Sequence, residues 1–424
     1  MGIPPGPSLT QYSVMFMHEN VKRFMMSLPD QTHQPVYYLS SYFDDVTFRM
    51  PMLTHMELQD NRAMRHGIEH DVLDLIHGLP NLHVIILPPS YLTSRVIEKL
   101  SHLSNLAEID QSNNFKWVET LELQPSLAEG AFPSLHHLAI MTSFSNVTEF
   151  LKFPFFPSNL TVLRITSLSS EEPSEVHELS VAVAGNCRLL TTFCLSSMLY
   201  SGGNLEEPPT LNTLRPLLSC SKMTTFEIVH RLQLSLQLED IEEIASKWPS
   251  LDTLILNNNP VLPLPRESQL TLRSLLPFAR HCPRLQHLGL FLDASTIDIP
   301  SAHELQFFQR LKCLSMGSSS LVEEGRVALF LSRICPIGCR VTTCVNGWGG
   351  VEHFTNCDKW EIVDQLLPLL ITARVEERER MRKEGTEKVR MLEAKLETLC
   401  GKHGNDTIND IRNFFCLAPY QYTY

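Results

Sequence analysis

The amino-acid sequence predicts an α/β solenoid, because one short phrase recurs along most of the chain. An apolar residue is followed at three and five positions by two more, in eleven copies that start between Leu53 and Gly338 at a mean spacing of about 28.5 residues. Most copies carry a small polar residue eight positions after their start, as Asn61, Ser143 and Asn259 do. Such a side chain would bond backbone groups of the neighbouring coil that are otherwise buried without partners. Together these patterns are typical of leucine-rich repeats, and they predict a horseshoe with a parallel concave sheet, outer helices and a C-terminal helical tail.

Each copy of the phrase predicts one strand of the sheet. The copies read Leu53/Met56/Leu58, Leu82/Ile85/Leu87, Leu106/Ile109, Leu135/Leu138/Ile140, Leu160/Leu163/Ile165, Leu190/Phe193/Leu195, Met223/Phe226/Ile228, Leu251/Leu254/Leu256, Leu285/Leu288/Leu290, Leu311/Leu314/Met316 and Gly338/Val341. Upstream stretches with apolar residues three and four apart predict the outer helices, such as 176–184 and 238–248. A further triplet, Val118/Leu121/Leu123, follows Leu106 too soon for the period. It belongs either to an unusually short unit or to an inserted loop.

Four regions follow from this register. Residues 1–50 are expected to form an irregular N-terminal cap with a short helix near 18–28, and 51–346 an array of about eleven units. Residues 347–400 are expected to form a C-terminal cap and a charged helix, followed by a tail at 401–424.

The helix that follows the array is expected to begin near Asp358. It should close the last coil through apolar residues at helical spacing, namely Trp360, Val363, Leu366, Leu367 and Leu370. Farther along, a seam of Val389, Leu392, Leu396 and Leu399 spans less than two heptads. A solvated helix is therefore the preferred interpretation of this segment, and binding of a partner helix is the alternative.

Bulk properties exclude several classes of function. The formal charge of −12 and the isoelectric point near 5.8 disfavour a nucleic-acid-binding surface, which needs a basic stripe. No stretch approaches the ~18 apolar residues of a membrane span, and the N-terminus has no basic-then-apolar signal segment. We therefore expect a cytoplasmic or nuclear protein that binds neither nucleic acid nor membrane.

The cysteines are interpreted as core residues rather than as metal ligands. Cys187, Cys220, Cys282 and Cys335 each lie three residues before the start of a copy, in a position that Trp248 occupies in another unit. A position shared by Cys and Trp is a core position, where Cys acts as a small hydrophobe. The spacing of the late cysteines also matches no common zinc pattern. No metal or other cofactor is therefore predicted.

One short motif supports a remote enzymatic alternative. His66, Glu69 and His70 match the His-x-x-Glu-His pattern of inverted zinc proteases, in which the two histidines bind zinc and the glutamate is the general base. The segment directly follows a repeat strand, however, and Gly67 weakens the helix that the motif needs. Because no phosphate loop or nucleophile elbow is present either, we expect no catalysis.

The remaining candidate site is the concave face of the sheet. Residues two and four positions after each start point onto this face, because side chains alternate along a strand. Acidic residues are concentrated in the early units, whereas later units carry small, apolar or hydroxylated residues and no Lys. We predict that a protein partner binds there, with the contacts made by Arg164, Thr225, Glu227, Thr253, Ile255, His287 and Phe291.

Several units also resemble those of a known family. Phe132-Pro-Ser-Leu135 and Cys282-Pro-Arg-Leu285 are similar to units of the F-box leucine-rich-repeat proteins abundant in mushroom-forming fungi, and the segment from Trp360 to Glu377 resembles the ending of those chains. The resemblance covers about residues 50–380. It implies a substrate-recognition subunit of a ubiquitin ligase, in which an F-box binds a Skp1-type adaptor and the repeats hold the protein substrate.

This chain departs from the family at its N-terminus. The only candidate start of an F-box, Leu28-Pro29, is followed too soon by the first repeat. Contact with an adaptor would thus require an F-box upstream. A free-standing protein-binding scaffold unrelated to ubiquitin is the alternative function.

Overall fold

A computed structural model describes residues 13–28, 37–60, 66–112, 122–169, 171–197, 207–264, 270–295, 305–343 and 356–400. Within these ranges the dominant feature is one parallel sheet in which each strand pairs with the next coil of the chain. Its strands are β1 (Arg23–Ser27), β2 (His55–Gln59), β3 (Val84–Leu87), β4 (Glu108–Gln111), β5 (His137–Met141), β6 (Val162–Ser167), β7 (Thr192–Ser197), β8 (Thr225–Val229), β9 (Thr253–Leu256), β10 (His287–Leu290), β12 (Cys313–Ser315) and β14 (Arg340–Thr342). Two short strands, β11 (Asp293–Ala294) and β13 (Ser320–Leu321), pair separately.

Helices alternate with the strands. They are α1 (Tyr37–Arg49), α2 (His66–His77), α3 (Ser94–Ser101), α4 (Phe144–Lys152), α5 (Pro173–Asn186), α6 (Leu211–Leu214), α7 (Leu238–Lys247), α8 (Leu276–His281), α9 (Glu324–Ile334) and α10 (Cys357–Cys400), with short 3-10 helices at Val14–Phe16, Pro89–Tyr91, Arg215–Ser219 and Leu272–Leu275. None of the helices in the described ranges is long and apolar enough to cross a membrane.

The repeated phrase accounts for this architecture, since each of the eleven copies falls on a strand of the sheet. The phrase residues of neighbouring strands are paired in register, as Leu163 with Phe193, Phe193 with Phe226, and Phe226 with Leu254. All four are buried at 0 or 1% exposure. They form a continuous ladder of apolar side chains along the solenoid, which confirms the predicted leucine-rich-repeat fold.

The N-terminal segment differs from the expectation. The helix expected near 18–28 is wrong, because β1 lies there and pairs in parallel with β2. Val21, Phe24 and Met26 repeat the same apolar spacing, and they pack on the core as a coil that precedes Leu53. The array therefore begins about thirty residues earlier than the sequence register implied.

The position that the cysteines share with Trp248 lies directly after the outer helix of the unit. Cys187, Cys282, Cys335 and Trp248 each directly follow a helix, and each donates its backbone N–H to a carbonyl in the last turn of that helix. All four side chains are buried at 0 or 1% exposure. Burial raises the pKa of Cys187 to about 12, so this residue remains a thiol. The core interpretation is confirmed at these positions.

In several units the buried polar residue lies one position earlier than predicted. Buried polar residues occur seven positions after the start of a copy, at Asp60, Thr142, Ser167, Ser197 and His230. Ser197, for example, donates its hydroxyl to the carbonyl of Ser169 in the preceding coil at 3.0 Å. The prediction for Asn259 is wrong, because its side chain is exposed. Ser90, Asp293 and Ser319 are buried and follow the predicted register, and Ser319 accepts from the backbone N–H of Leu292 at 3.0 Å. Asn61 lies outside the described residues.

Helix α10 closes the last coil. Trp360, Val363 and Leu367 are fully buried, and the Trp360 indole donates to the carbonyl of Ser319 at 2.8 Å. The Asp364 carboxylate accepts a hydrogen bond from the backbone N–H of Val341 at 2.7 Å. This N–H lies on the edge strand β14, which has no further strand to pair with. The expected closing contacts are thus present at the residues that the helical spacing predicted.

Candidate partner-binding face

Strands β6 to β10 align the candidate residues into two rows on the concave face, which is the sheet face opposite the buried phrase residues. The register places the first row at Val162, Thr192, Thr225, Thr253 and His287. The second row follows two residues later on each strand, at Arg164, Cys194, Glu227, Ile255 and Gly289. Six of the seven candidates therefore lie in two adjacent rows, although their sequence positions extend from 164 to 287.

The second row begins with two opposite charges that flank a thiol. Arg164 is exposed, and Glu227 is half-buried. Cys194 lies between them and has a raised pKa of about 12, chiefly because of burial and secondarily because of the Glu227 carboxylate. A thiol with this pKa is not a nucleophile at neutral pH. The row can therefore provide charge and shape complementarity to a partner, but it lacks an activated nucleophile.

The end of the second row is apolar and flat. Ile255 is half-buried, and its side chain lies over Gly289, where a Cβ atom would be 2.6 Å from the Ile255 Cδ1. In the first row, the Thr253 hydroxyl lies 3.4 Å from Nδ1 of His287, and the His287 side chain is exposed. Threonine, isoleucine and histidine side by side form a surface of mixed polarity that can lose its water at moderate cost.

Phe291 was predicted to lie on this surface, but it does not. Its side chain is only 7% exposed, so the expectation that it projects from the sheet is wrong. Near this residue the turn after β9 reaches the end of β12, where the Asn258 amide donates to Ser315 Oγ at 2.7 Å. A Cβ on Gly317 would lie 1.8 Å from the Asn258 carbonyl oxygen. These contacts link the coils of β9 and β12, which flank the coil that carries β10 and Phe291.

The early coils present a different chemistry on the same face. His137 on β5 lies 3.9 Å from Glu108 and 3.9 Å from Asp110, both on β4. Burial lowers the pKa of His137, although Asp110 opposes the change. Within the described ranges, no group of three or more His, Cys, Asp or Glu has the arrangement that holds a metal ion.

The residues of the zinc-hydrolase alternative are engaged in other contacts. The Glu69 carboxylate accepts from Thr93 Oγ1 at 2.7 Å and from Arg95 at 3.2 Å, so it links α2 to the beginning of α3. His70 pairs with Asp74 on its own helix at 2.8 Å. The His66 side chain lies outside the described part of the structure. Glu69 thus has a structural role here, and the geometry does not favour it as a general base.

A buried carboxylate that the sequence did not predict, Glu171, lies beside the sheet. Glu171 is 1% exposed, and it accepts from the backbone N–H of Phe144 at 3.2 Å and from the Ser167 hydroxyl. Nε2 of His230, two coils away, lies 3.3 Å from the Glu171 carbonyl oxygen. The one sequence feature that points to this site is Ser167, a polar residue two positions after Ile165 of the repeat phrase. The sequence does not indicate that Ser167 bonds Glu171.

The chain resembles a solved structure at a low level of similarity. A leucine-rich repeat-containing protein of Legionella pneumophila, LegL7, has a solved structure with a TM-score of 0.38 and 12% identity, covering 87% of this chain and 96% of that one. Likeness at this level carries no argument about ligand or activity. No protein-family model matches the chain, and no curated protein matches it in sequence.

Proposed function

We propose that this protein is a non-catalytic interaction solenoid that holds a protein partner on the concave face of β6 to β10. The observation that carries the proposal is the pair of adjacent rows from Arg164 to His287, which brings an exposed cation, an acid and apolar Ile255 onto one continuous surface without any Lys. Partner-binding surfaces are depleted in Lys relative to the rest of a protein surface. Arrays of this kind generally use the concave face for binding.

Within that role, the unit resemblance supports a narrower proposal. The chain would be the substrate-recognition part of an F-box-type ubiquitin-ligase receptor, or be derived from one, and would act in the cytosol or nucleus. A Skp1-type adaptor would then be a second partner, provided that an F-box lies upstream. The alternative is a free-standing scaffold unrelated to ubiquitin. Co-purification of the adaptor with the chain supports the receptor, and a partner bound without the adaptor supports the scaffold.

The concave face is tested by comparing partners captured by three variants and by the wild-type chain. Ile255→Asp and Arg164→Glu should each weaken capture of the same protein by roughly tenfold or more, which corresponds to about 1.4 kcal/mol. The matched control is Val181→Asp on α5, where an apolar residue that is 50% exposed lies on an outer helix. This control should leave capture unchanged.

The ranking of the variants decides the location of the site. Loss of capture in Val181→Asp with full capture in Ile255→Asp would move the site to the outer helices. Thermal unfolding of each purified variant separates lost binding from lost folding, since both concave side chains are at least partly exposed and their replacement should cost little stability.

A further inference from the structure

Helix α10 continues well beyond the coil that it closes. Its first turns are anchored by Trp360, Val363, Leu367 and Ile371, all buried at 0 or 1% exposure. From 376 to 398 every side chain is exposed. At 1.5 Å per residue, the part from 376 to 400 is about 37 Å long. The first turns of α10 therefore pack on the array, whereas the part from 376 to 398 is exposed to solvent.

The far end of α10 has an apolar stripe. Val389, Leu392 and Leu396 are exposed by 51%, 53% and 38%, and they lie three and four residues apart on one face of the helix. In sequence, the spacing continues to Leu399. Positions of this kind are the a and d positions of a coiled coil, where each apolar side chain inserts between residues of a second helix.

The charges beside the stripe identify the second helix. With Val389 at position a, Lys388 occupies position g and Glu393 position e. In a parallel pair, position g of one helix faces the following e position of the other, so Lys388 of each copy would face Glu393 of the other. An antiparallel pair centred on the same leucines would instead place Glu393 near Glu393 and Lys395 near Lys395. The segment is therefore complementary to a second copy of itself in the parallel orientation.

We propose that residues 388–399 of two copies associate as a short parallel coiled coil. This arrangement buries the stripe of Val389, Leu392 and Leu396, and it places two leucine-rich-repeat arrays on the same end of one stem. Because the seam spans less than two heptads, the association is weak and depends on protein concentration. Two arrays on one stem would bind a repetitive or dimeric partner with gained avidity. The self-association itself does not depend on what the concave face binds.

Sedimentation equilibrium of the full-length chain over a wide range of concentrations tests the proposal. The wild type should show a monomer–dimer equilibrium. Leu392→Asp should weaken dimerisation by roughly tenfold or more, because it places a charge in the apolar seam. The matched control is Met391→Asp: Met391 is the adjacent residue, is 56% exposed, and lies off the seam. It incurs the same cost of Asp in a helix and should leave dimerisation unchanged.

A charge exchange tests the orientation. Lys388→Glu should weaken the dimer, because Glu at position 388 of each copy would then face Glu393 of the other. Adding Glu393→Lys should restore the dimer, because each facing pair again has opposite charges. A wild-type chain that is monomeric at every concentration would overturn the proposal, and so would equal effects of Met391→Asp and Leu392→Asp. A dimer strengthened by Lys388→Glu alone would exclude the parallel arrangement.

Discussion

Asn257 and His230 join two neighbouring coils through the interior of the protein. The Asn257 side-chain oxygen accepts the backbone N–H of His230 at 3.0 Å, and its amide donates to the carbonyl of Leu232 at 2.7 Å. Asn257 also has a positive φ of 44°, a conformation that Asn tolerates better than most residues. The residue that pairs the buried backbone in this unit is therefore Asn257, two positions before the Asn259 of the consensus register.

Replacement of Asn257 should lower the free energy of unfolding. Asn257→Gly retains the positive φ without strain but removes both hydrogen bonds, so we expect a loss of roughly 1–3 kcal/mol, measured by urea denaturation. Asn259→Gly is the matched control, because Asn259 is exposed, and it should change stability by less than about 0.5 kcal/mol. Equal effects of the two changes would contradict this assignment of the ladder.

Glu171 should make stability depend on pH. Burial raises its pKa from 4.5 to about 7, against the opposing hydrogen bonds from Ser167 and Phe144. Because the folded protein holds this proton more tightly than the unfolded chain, the stability contribution is complete below pH 4.5 and is lost as the pH rises to about 7. Glu171→Gln should therefore stabilise the protein near pH 8 by roughly 2–3 kcal/mol and have little effect near pH 4.

The measurement for Glu171 is urea denaturation of both chains at several pH values. The difference between variant and wild type should grow between pH 4.5 and about 7 and then level off. A difference that is constant with pH would mean that Glu171 does not titrate in this range. Glu178→Gln is a suitable control, since this carboxylate is exposed on helix α5.

Phe291→Asp should destabilise the protein much more than Ile255→Asp. Phe291→Asp places a charge at a site that is 7% exposed, so we expect it to destabilise the protein by about 3 kcal/mol or more. Ile255→Asp replaces a half-buried side chain on the open face and should cost only about 1 kcal/mol. Thermal unfolding measures both. A larger loss in Ile255→Asp would place Ile255 in the core and remove it from the candidate site.

Asp364 should be important for the closed end of the array. Its carboxylate accepts from the Arg340 guanidinium at 2.6 Å and from the Val341 backbone at 2.7 Å. Although burial alone would raise its pKa, these bonds hold the pKa of Asp364 below its usual range. The stabilisation is therefore present above the ordinary carboxyl pKa and is lost as the pH falls through the lowered value. Asp364→Ala should destabilise the protein by roughly 1–3 kcal/mol near neutral pH.

Hydrogen exchange locates the effect of Asp364→Ala. Amide protection should fall first in β14, because the N–H of Val341 loses its acceptor. Glu361→Ala, an exposed position on the same helix, should leave protection unchanged. Loss of protection spread evenly over the array would contradict an edge-specific role for Asp364.

The sequence by itself determined the repeat and which of its residues are buried. The apolar phrase residues, such as Leu163 and Phe226, are buried in the described core, because an apolar position of fixed spacing is satisfied by stacking on the next coil. The same logic predicted the buried Cys187 and the closing Trp360. Val21, Phe24 and Met26 carry the same spacing on β1, which lies before the array that the sequence register predicted.

The tertiary structure decided what the polar residues do. Asn257, which has a positive φ, bonds the neighbouring coil, whereas Asn259, two positions later, is exposed. Phe291 is buried although it follows the end of a strand, and Asn258 bonds Ser315 two strands away. Glu171 is buried against Phe144 and His230, which lie 27 and 59 residues from it in sequence. Apolar burial follows from local spacing, whereas a polar group is satisfied only by a particular partner, and only the assembled coils bring that partner within hydrogen-bond distance.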